Sequence, residues 1–190
     1  MIGAGGVATV AAFKINQNAD VFTDFMIASR RKEKCDKIVK AIGNPNIKTA
    51  QVDADDVEQL KALFNDFKPE LVINCVTLKY TLQVFEQVIP HLPKDCIISD
   101  IASVKTGLKK FYEESGFRYV STHPMFGPTF ASLSNLNTEN AIIISEGDHL
   151  GKIFFKDLYQ TMKLNIFEYT FDEHDETVAY SLSIPFVSTF

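Results

Sequence analysis

Short apolar runs alternate with longer amphipathic stretches along this chain, and the alternation predicts its architecture. The runs Asp24–Ala28, Lys48–Val52, Glu70–Cys75, Asp95–Asp100, Arg118–Thr122, Asn140–Ser145 and Asn165–Tyr169 read as strands. Several are apolar at consecutive positions, as strands buried on both faces of a parallel sheet are. The stretches between them read as helices. Val57–Phe67 carries Val57, Leu60, Leu63, Phe64 and Phe67 on one face, with Asp55 and Asp56 as start signals. Leu78–His91 repeats the pattern through Leu82, Phe85, Val88 and Ile89, and Pro90 and Pro93 stop it. Leu150–Met162 is a third helix, rich in Phe and Leu. Strand–helix alternation of this kind predicts an α/β fold with a doubly wound, mainly parallel sheet. Gly127–Glu139 is the longest irregular stretch.

Composition narrows the class. With 190 residues the chain fits one domain, or one domain and part of a second. A content of 46% apolar and 23% charged residues is that of a globular protein rather than a disordered one. The net charge of −5 offers no basic footprint for nucleic acid. No run approaches the ~20 apolar residues of a membrane span. The first residues lack the charged lead-in and cleavage site of a secretory signal. Cys35, Cys75 and Cys96 form no CxxC pair, so buried reduced thiols in a cytoplasmic protein are expected, and no metal site.

Candidate chemistry begins at the amino end. Gly3-Ala4-Gly5-Gly6-Val7-Ala8 fits the dinucleotide fingerprint GxGxxG/A. Gly3 allows a tight turn, and Gly5 lets the backbone approach a pyrophosphate. Ala8 permits close helix–strand packing, and a helix over Val7–Gln17 turns its N-terminus to the phosphates. Gly3, Gly5, Gly6 and Val7 are therefore candidate cofactor-binding residues of a Rossmann-type fold. A glycine cluster in a plain turn is the competing explanation. About twenty residues on, a strand ends in Ser29-Arg30-Arg31. An acidic residue there suits the ribose hydroxyl of NAD, whereas arginine grips the 2′-phosphate of NADP. NADP is the favoured cofactor and NAD the alternative. Arg30 and Arg31 could equally open a basic helix with Lys32, Lys34 and Lys37 as solvated charges.

At the other end, Ser103 follows the strand ending at Asp100, and His123 follows the strand ending at Thr122. Both then lie at carboxyl ends of parallel strands, where open α/β sheets bind ligands. A near-neutral histidine can take the proton of a substrate hydroxyl as hydride leaves the same carbon. A serine hydroxyl beside it can orient that group. The bland alternatives are a turn cap for His123 and the N-cap of a helix over Val104–Glu114 for Ser103. Lys105 reads as a solvated charge, with a substrate carboxylate as its alternative partner, His174 as the start of a helix, and His91 and His149 as surface residues.

Two family resemblances accompany these readings. Gly3-Ala4-Gly5-Gly6-Val7, Ala28-Ser29-Arg30, Thr49-Ala50-Gln51-Val52-Asp53-Ala54 and Leu71-Val72-Ile73-Asn74 resemble the N-terminal domain of saccharopine dehydrogenase-like enzymes, including carboxynorspermidine synthase. That resemblance implies an NADP-preferring Rossmann enzyme. Only Met1 and Ile2 precede the glycines, where the fold needs a central strand. The expectation is a shortened N-terminus that leaves neighbouring backbone groups unpaired.

From about Val76 onward the resemblance is to prephenate dehydrogenase. It rests on Ser99-Asp100-Ile101-Ala102-Ser103-Val104-Lys105, on His123-Pro124-Met125-Phe126-Gly127-Pro128, and on Glu173-His174-Asp175 followed by Ala179. It implies that His123 and Ser103 act on the ring hydroxyl of prephenate or arogenate, in tyrosine biosynthesis. It also implies a helical dimerisation domain, and hence a homodimer. The expected organisation is a composite dinucleotide-binding domain over residues 1–170, joined near Cys75–Val76. The first helix of a truncated helical domain follows over 171–190. Phe186 stands after Pro185 where that family often has a histidine, and no arginine replaces its substrate clamp. Two rivals stand beside this reading: a saccharopine or carboxynorspermidine dehydrogenase, and a non-catalytic nucleotide-binding module that associates through Phe171, Phe186 and Phe190.

Overall fold

The structure, a computed structural model, describes residues 1–18, 22–126 and 136–180. Seven strands form: β1 (Met26–Ser29), β2 (Lys48–Gln51), β3 (Leu71–Asn74), β4 (Ile97–Asp100), β5 (Arg118–Pro124), β6 (Asn140–Ile144) and β7 (Asn165–Tyr169). Seven α-helices lie among them: α1 (Gly6–Asn16), α2 (Lys32–Ile42), α3 (Val57–Phe67), α4 (Thr81–Val88), α5 (Leu108–Ser115), α6 (His149–Thr161) and α7 (Phe171–Val178). Strands β1 and β2 pair in parallel, and β3 to β7 follow one another across a five-stranded sheet. Only the β5–β6 pairing is antiparallel.

The two pieces are one sheet because Ile2 bridges them. It pairs in parallel with Ala28 of β1 and with Asn74 of β3. Ala28 N–H donates to Met1 O, Gly3 N–H to Ala28 O, Ile2 N–H to Ile73 O and Cys75 N–H to Ile2 O. The expectation of unpaired neighbouring strands is thus corrected: the stub at Met1–Gly3 supplies their partners. With Ile2 as the central strand, the order β2-β1-Ile2-β3-β4-β5 is that of a doubly wound dinucleotide fold, and the order reverses between Ile2 and β3.

Side-chain alternation along the strands builds a core on each face. Val72, Ile98, Ile142 and Ile144 pack with Leu60 and Phe64 of α3, Phe85 of α4, Tyr112 of α5 and Phe171 of α7. Their neighbours Ile73, Ala141 and Ile143 face Val10 of α1 and Phe155, Leu158 and Tyr159 of α6. The first of these cores takes side chains from both sides of Cys75–Val76, so the halves on either side of the expected join share one interior.

Local chemistry sets the helix limits. Asp56 accepts from Gln59 N–H and starts α3 where the acidic pair predicted it. Gly43, left-handed at φ 77°, ends α2. The single helix expected over Leu78–His91 is shorter: α4 is flanked by 3₁₀ turns at Leu78–Tyr80 and Ile89–His91, the second containing Pro90. The helix expected over Val104–Glu114 begins only at Leu108, and Gly107 rather than Ser103 is its N-cap. Its first residues are held elsewhere, with Lys105 N–H donating to Asp175 Oδ1. Helix α7 starts with a reciprocal capping box between Thr170 and Glu173. His174 is therefore not its start but part of its buried face. The 127–135 part of the expected irregular stretch, together with Pro185, Phe186 and Phe190, lies outside the described residues.

Candidate active site

The amino-terminal glycines form a cradle at the point where strand order reverses. Gly3 has φ 114°, and a Cβ there would stand 2.7 Å from Cys75 O, so turn and strand meet at a distance only glycine allows. At Gly5 the backbone is extended, yet nothing stands within 4 Å of an added Cβ. The open space lies just ahead of α1, whose N-cap is Gly5 itself with no side-chain partner for the first amides. A pyrophosphate fits such a place, since backbone N–H groups and the helix dipole face it. Gly6 and Val7 are the first residues of α1.

Gly3 and Gly5 line a cleft of about 430 Å³ together with Ser29, Arg30 and Arg31 from the end of β1. The Ser29 hydroxyl donates to Arg31 O and accepts from Arg31 N–H, so it shapes the turn that presents the two arginines. Both arginine side chains are exposed. Lys34 on α2 adds a third cation to the cleft wall, and Asp53, Asp55 and Tyr80 also line it, none of which the sequence marked as a binding residue. Strands β1, β3, β4 and β5 run parallel with Ile2, so their carboxyl ends share the edge of the sheet on which this cleft opens.

His123 and the segment holding Ser103 reach that edge further along. His123 lies within β5, which runs on to Pro124 rather than ending at Thr122, and it pairs with Ile142 on β6. Its side chain is buried. Ser103 is exposed in the loop between β4 and α5.

Behind them lies a polar network that the sequence hid. Lys105 is not solvated: its ammonium is fully buried, 2.6 Å from Asp100 Oδ1, and also donates to Thr122 O. Asp100 Oδ2 accepts from Tyr112 Oη, and Oδ1 accepts from Ala102 N–H as well. Burial pushes the Lys105 ammonium down while Asp100 pulls it up. Burial, then the Asp100 charge, holds the Tyr112 phenol well above its usual range.

His174 is fully buried and stands with its Nε2 3.0 Å from His123 Nδ1. Its own Nδ1 is 3.0 Å from Asp175 Oδ1. Asp175 also accepts from Lys105 N–H and from the Thr106 hydroxyl. Burial raises the Asp175 carboxyl, but these hydrogen bonds together outweigh it and bring the group below the usual range. Burial is the largest influence on His123, followed by the Lys105 charge and His174, and its pKa falls to about 4. His174 is lowered as well, by burial first. A legible signal did exist: Phe171, His174 and Val178 recur at helical spacing, placing the histidine on an apolar stripe.

Comparison with known proteins finds relatives for both parts of the chain. Residues 1–91 match the family described as the saccharopine dehydrogenase NADP binding domain, a match that runs past Cys75–Val76. The carboxynorspermidine synthase of Vibrio cholerae is 51% identical over 81 residues, covering 38% of this chain and 20% of that protein. A probable arogenate/prephenate dehydrogenase of Methanocaldococcus jannaschii is 32% identical over 99 residues, covering 50% of this chain and 22% of that protein. The Synechocystis arogenate dehydrogenase structure superposes with a TM-score of 0.75 at 19% identity, over 97% of this chain and 63% of that one. The chain spans between about a fifth and two fifths of the length of the curated relatives it matches.

Fold, glycine turn and family match define a Rossmann-type NAD(P)-binding domain with the fold of an NAD(P)-dependent dehydrogenase. Its two parts are similar to two kinds of dehydrogenase, as the sequence motifs implied. No helix among the described residues is long and apolar enough to cross a membrane.

Proposed function

We propose that this chain is the cofactor-binding part of an NAD(P)-dependent oxidoreductase of the prephenate dehydrogenase type, acting on prephenate or arogenate in the cytoplasm. In this reading residues 1–170 hold the cofactor and 171–190 begin a helical domain through which two copies pair. The observation that carries it is the buried imidazole of His123 at the carboxyl end of β5, on the same sheet edge as the glycine cradle.

Gly3, Gly5, Gly6 and Val7 cradle the pyrophosphate, and Ser29, Arg30 and Arg31 present charge to the adenosine ribose and its 2′-phosphate. When bound, the nicotinamide supplies the acceptor for a hydride from the hydroxyl-bearing ring carbon. His123 takes the proton of that hydroxyl, Ser103 orients it, and loss of carbon dioxide leaves the ring aromatic as 4-hydroxyphenylpyruvate. Burial of His123 keeps the base neutral at physiological pH, as the step requires.

A carboxynorspermidine-type reading is favoured by the 51% identity of the cofactor half. It is the weaker of the two, because that similarity covers the part that holds a dinucleotide rather than the part that meets a substrate. One experiment separates them. The protein is titrated with NADPH and NADH by cofactor fluorescence, then assayed for reduced-cofactor formation from prephenate and from arogenate. Turnover that falls about 10²- to 10⁴-fold in His123→Asn, with cofactor affinity intact, supports the proposal. Cofactor binding without any such turnover would favour the rival or a non-catalytic module.

A further inference from the structure

The contacts of His123, His174 and Asp175 fix more than position. They fix which nitrogen carries the proton. Asp175 is held as a carboxylate by two donors, Lys105 N–H and the Thr106 hydroxyl, and His174 Nδ1 stands 3.0 Å from its Oδ1. A carboxylate accepts hydrogen bonds and cannot donate one, so Nδ1 of His174 must carry the proton. In neutral His174 the other nitrogen, Nε2, is then an acceptor. The only atom that can donate to it across the 3.0 Å contact is Nδ1 of His123. His123 therefore carries its proton on Nδ1, and the lone pair stands on Nε2. The two rings meet edge to face, with centroids 5.2 Å apart, so the contact also sets the plane of the His123 imidazole.

We infer that His174 and Asp175 are positioning residues that lock His123 in the Nδ1–H tautomer and aim its Nε2 lone pair at a substrate hydroxyl. That Nε2 is the proton acceptor of the reaction rests on the function proposed above; the lock itself rests on the geometry alone. The same pair ties helix α7 to the loop between β4 and α5, because Asp175 holds the backbone of Lys105. His174 is thus the means by which α7, past the sheet, governs the base within it. The role of the pair resembles that of the buried carboxylate that orients the histidine of a hydrolase triad, with a second imidazole interposed.

The neutral state that the lock requires is favoured by the balance of the groups facing His123. Lys105 and Asp100 face it from β4 and the loop that follows, His174 faces it from α7, and Asp175 stands behind His174. Lys105 and His174 disfavour a second proton on His123, and burial disfavours it most, whereas Asp100 acts the other way.

The test is long-range ¹H–¹⁵N correlation spectroscopy on the full chain with ¹⁵N-labelled histidine, near neutral pH. His123→Asn serves to assign the signals. The expected result is an Nδ1–H tautomer for both His123 and His174 in the unaltered protein. An Nε2–H tautomer for His123 overturns the inference, and this measurement needs no variant to fold. In His174→Gln, the amide can still accept from His123 and donate to Asp175, so the Nδ1–H tautomer should persist. In His174→Phe it should be lost.

Prephenate turnover provides the second arm. In His174→Phe, kcat should fall about 100-fold or more with KM nearly unchanged, and His174→Gln should recover most of the loss. Equal loss in both variants overturns the positioning role. A locked tautomer with no turnover in the unaltered protein keeps the lock and removes the proposed reaction. Turnover that depends on His123, combined with the Nε2–H tautomer, does the reverse.

Discussion

The carbonyl oxygen of Cys75 stands where a Cβ on Gly3 would have to go, at 2.7 Å. Gly5, two residues on, has open space in the same direction. Two glycines of one motif thus serve different ends, one for the fold and one for the ligand. Gly3→Ala should destabilise the protein by about 2 kcal/mol or more, since it adds a clash to a left-handed backbone. Gly5→Ala should leave thermal stability unchanged and abolish cofactor binding. Melting curves with and without NADPH check both, and equal destabilisation by the two variants would refute the division.

Arg30 and Arg31 hang from a turn closed by Ser29 and line the cleft. If they read the 2′-phosphate, replacing both by alanine should weaken NADPH by about 10- to 100-fold and NADH by less than about twofold. Fluorescence titration with the two cofactors measures the difference. Equal losses would mean that the arginines attract dinucleotides generally rather than reading the phosphate.

The pKa of His123 falls from 6.5 to about 4 on burial. Above pH 6.5 both folded and unfolded chains hold it neutral, and its contribution to stability is constant. Below 6.5 the unfolded chain takes up a proton that the folded chain refuses, so stability declines until the pH reaches about 4. The loss across that window is on the order of 3 kcal/mol, and His174 shifts in the same direction. Urea denaturation at pH 7 and pH 4.5 should show the decline for the unaltered protein and a smaller one for His123→Asn.

Lys105 and Asp100 are both fully buried at 2.6 Å. Removing one partner strands the other's charge. Lys105→Met should cost about 3–5 kcal/mol, visible as a lower midpoint in chemical denaturation. Changing Asp100 to asparagine in the same chain should recover part of that loss. A cost within about 0.5 kcal/mol would mean that the pair is not charged in the native state.

The sequence carried the strands and helix α3 well, because period and start signals are local. Val57–Phe67 is helical over the residues that its apolar face and Asp56 foretold. It carried Lys105 and His174 poorly, because what they do depends on partners far along the chain. Lys105 is drawn inward by a carboxylate five residues earlier and a carbonyl on the next strand. His174 meets a histidine 51 residues away. Polarity alone put Lys105 in solvent and His174 at the start of a helix. Ser103 failed as a helix cap for a related reason: the backbone after it is held by Asp175, and the helix cannot begin until Gly107 releases it.

The sheet crosses from its two-stranded part to its five-stranded part through a single residue, Ile2. The cleft straddles that seam, with Ser29 to Arg31 on one bank and Cys75 to Thr77 on the other. A dinucleotide lying in it is then a clasp as well as a reagent. It fastens two halves of a sheet that backbone hydrogen bonds join through Met1, Ile2 and Gly3, so occupancy of the cleft adds to the stability of the fold.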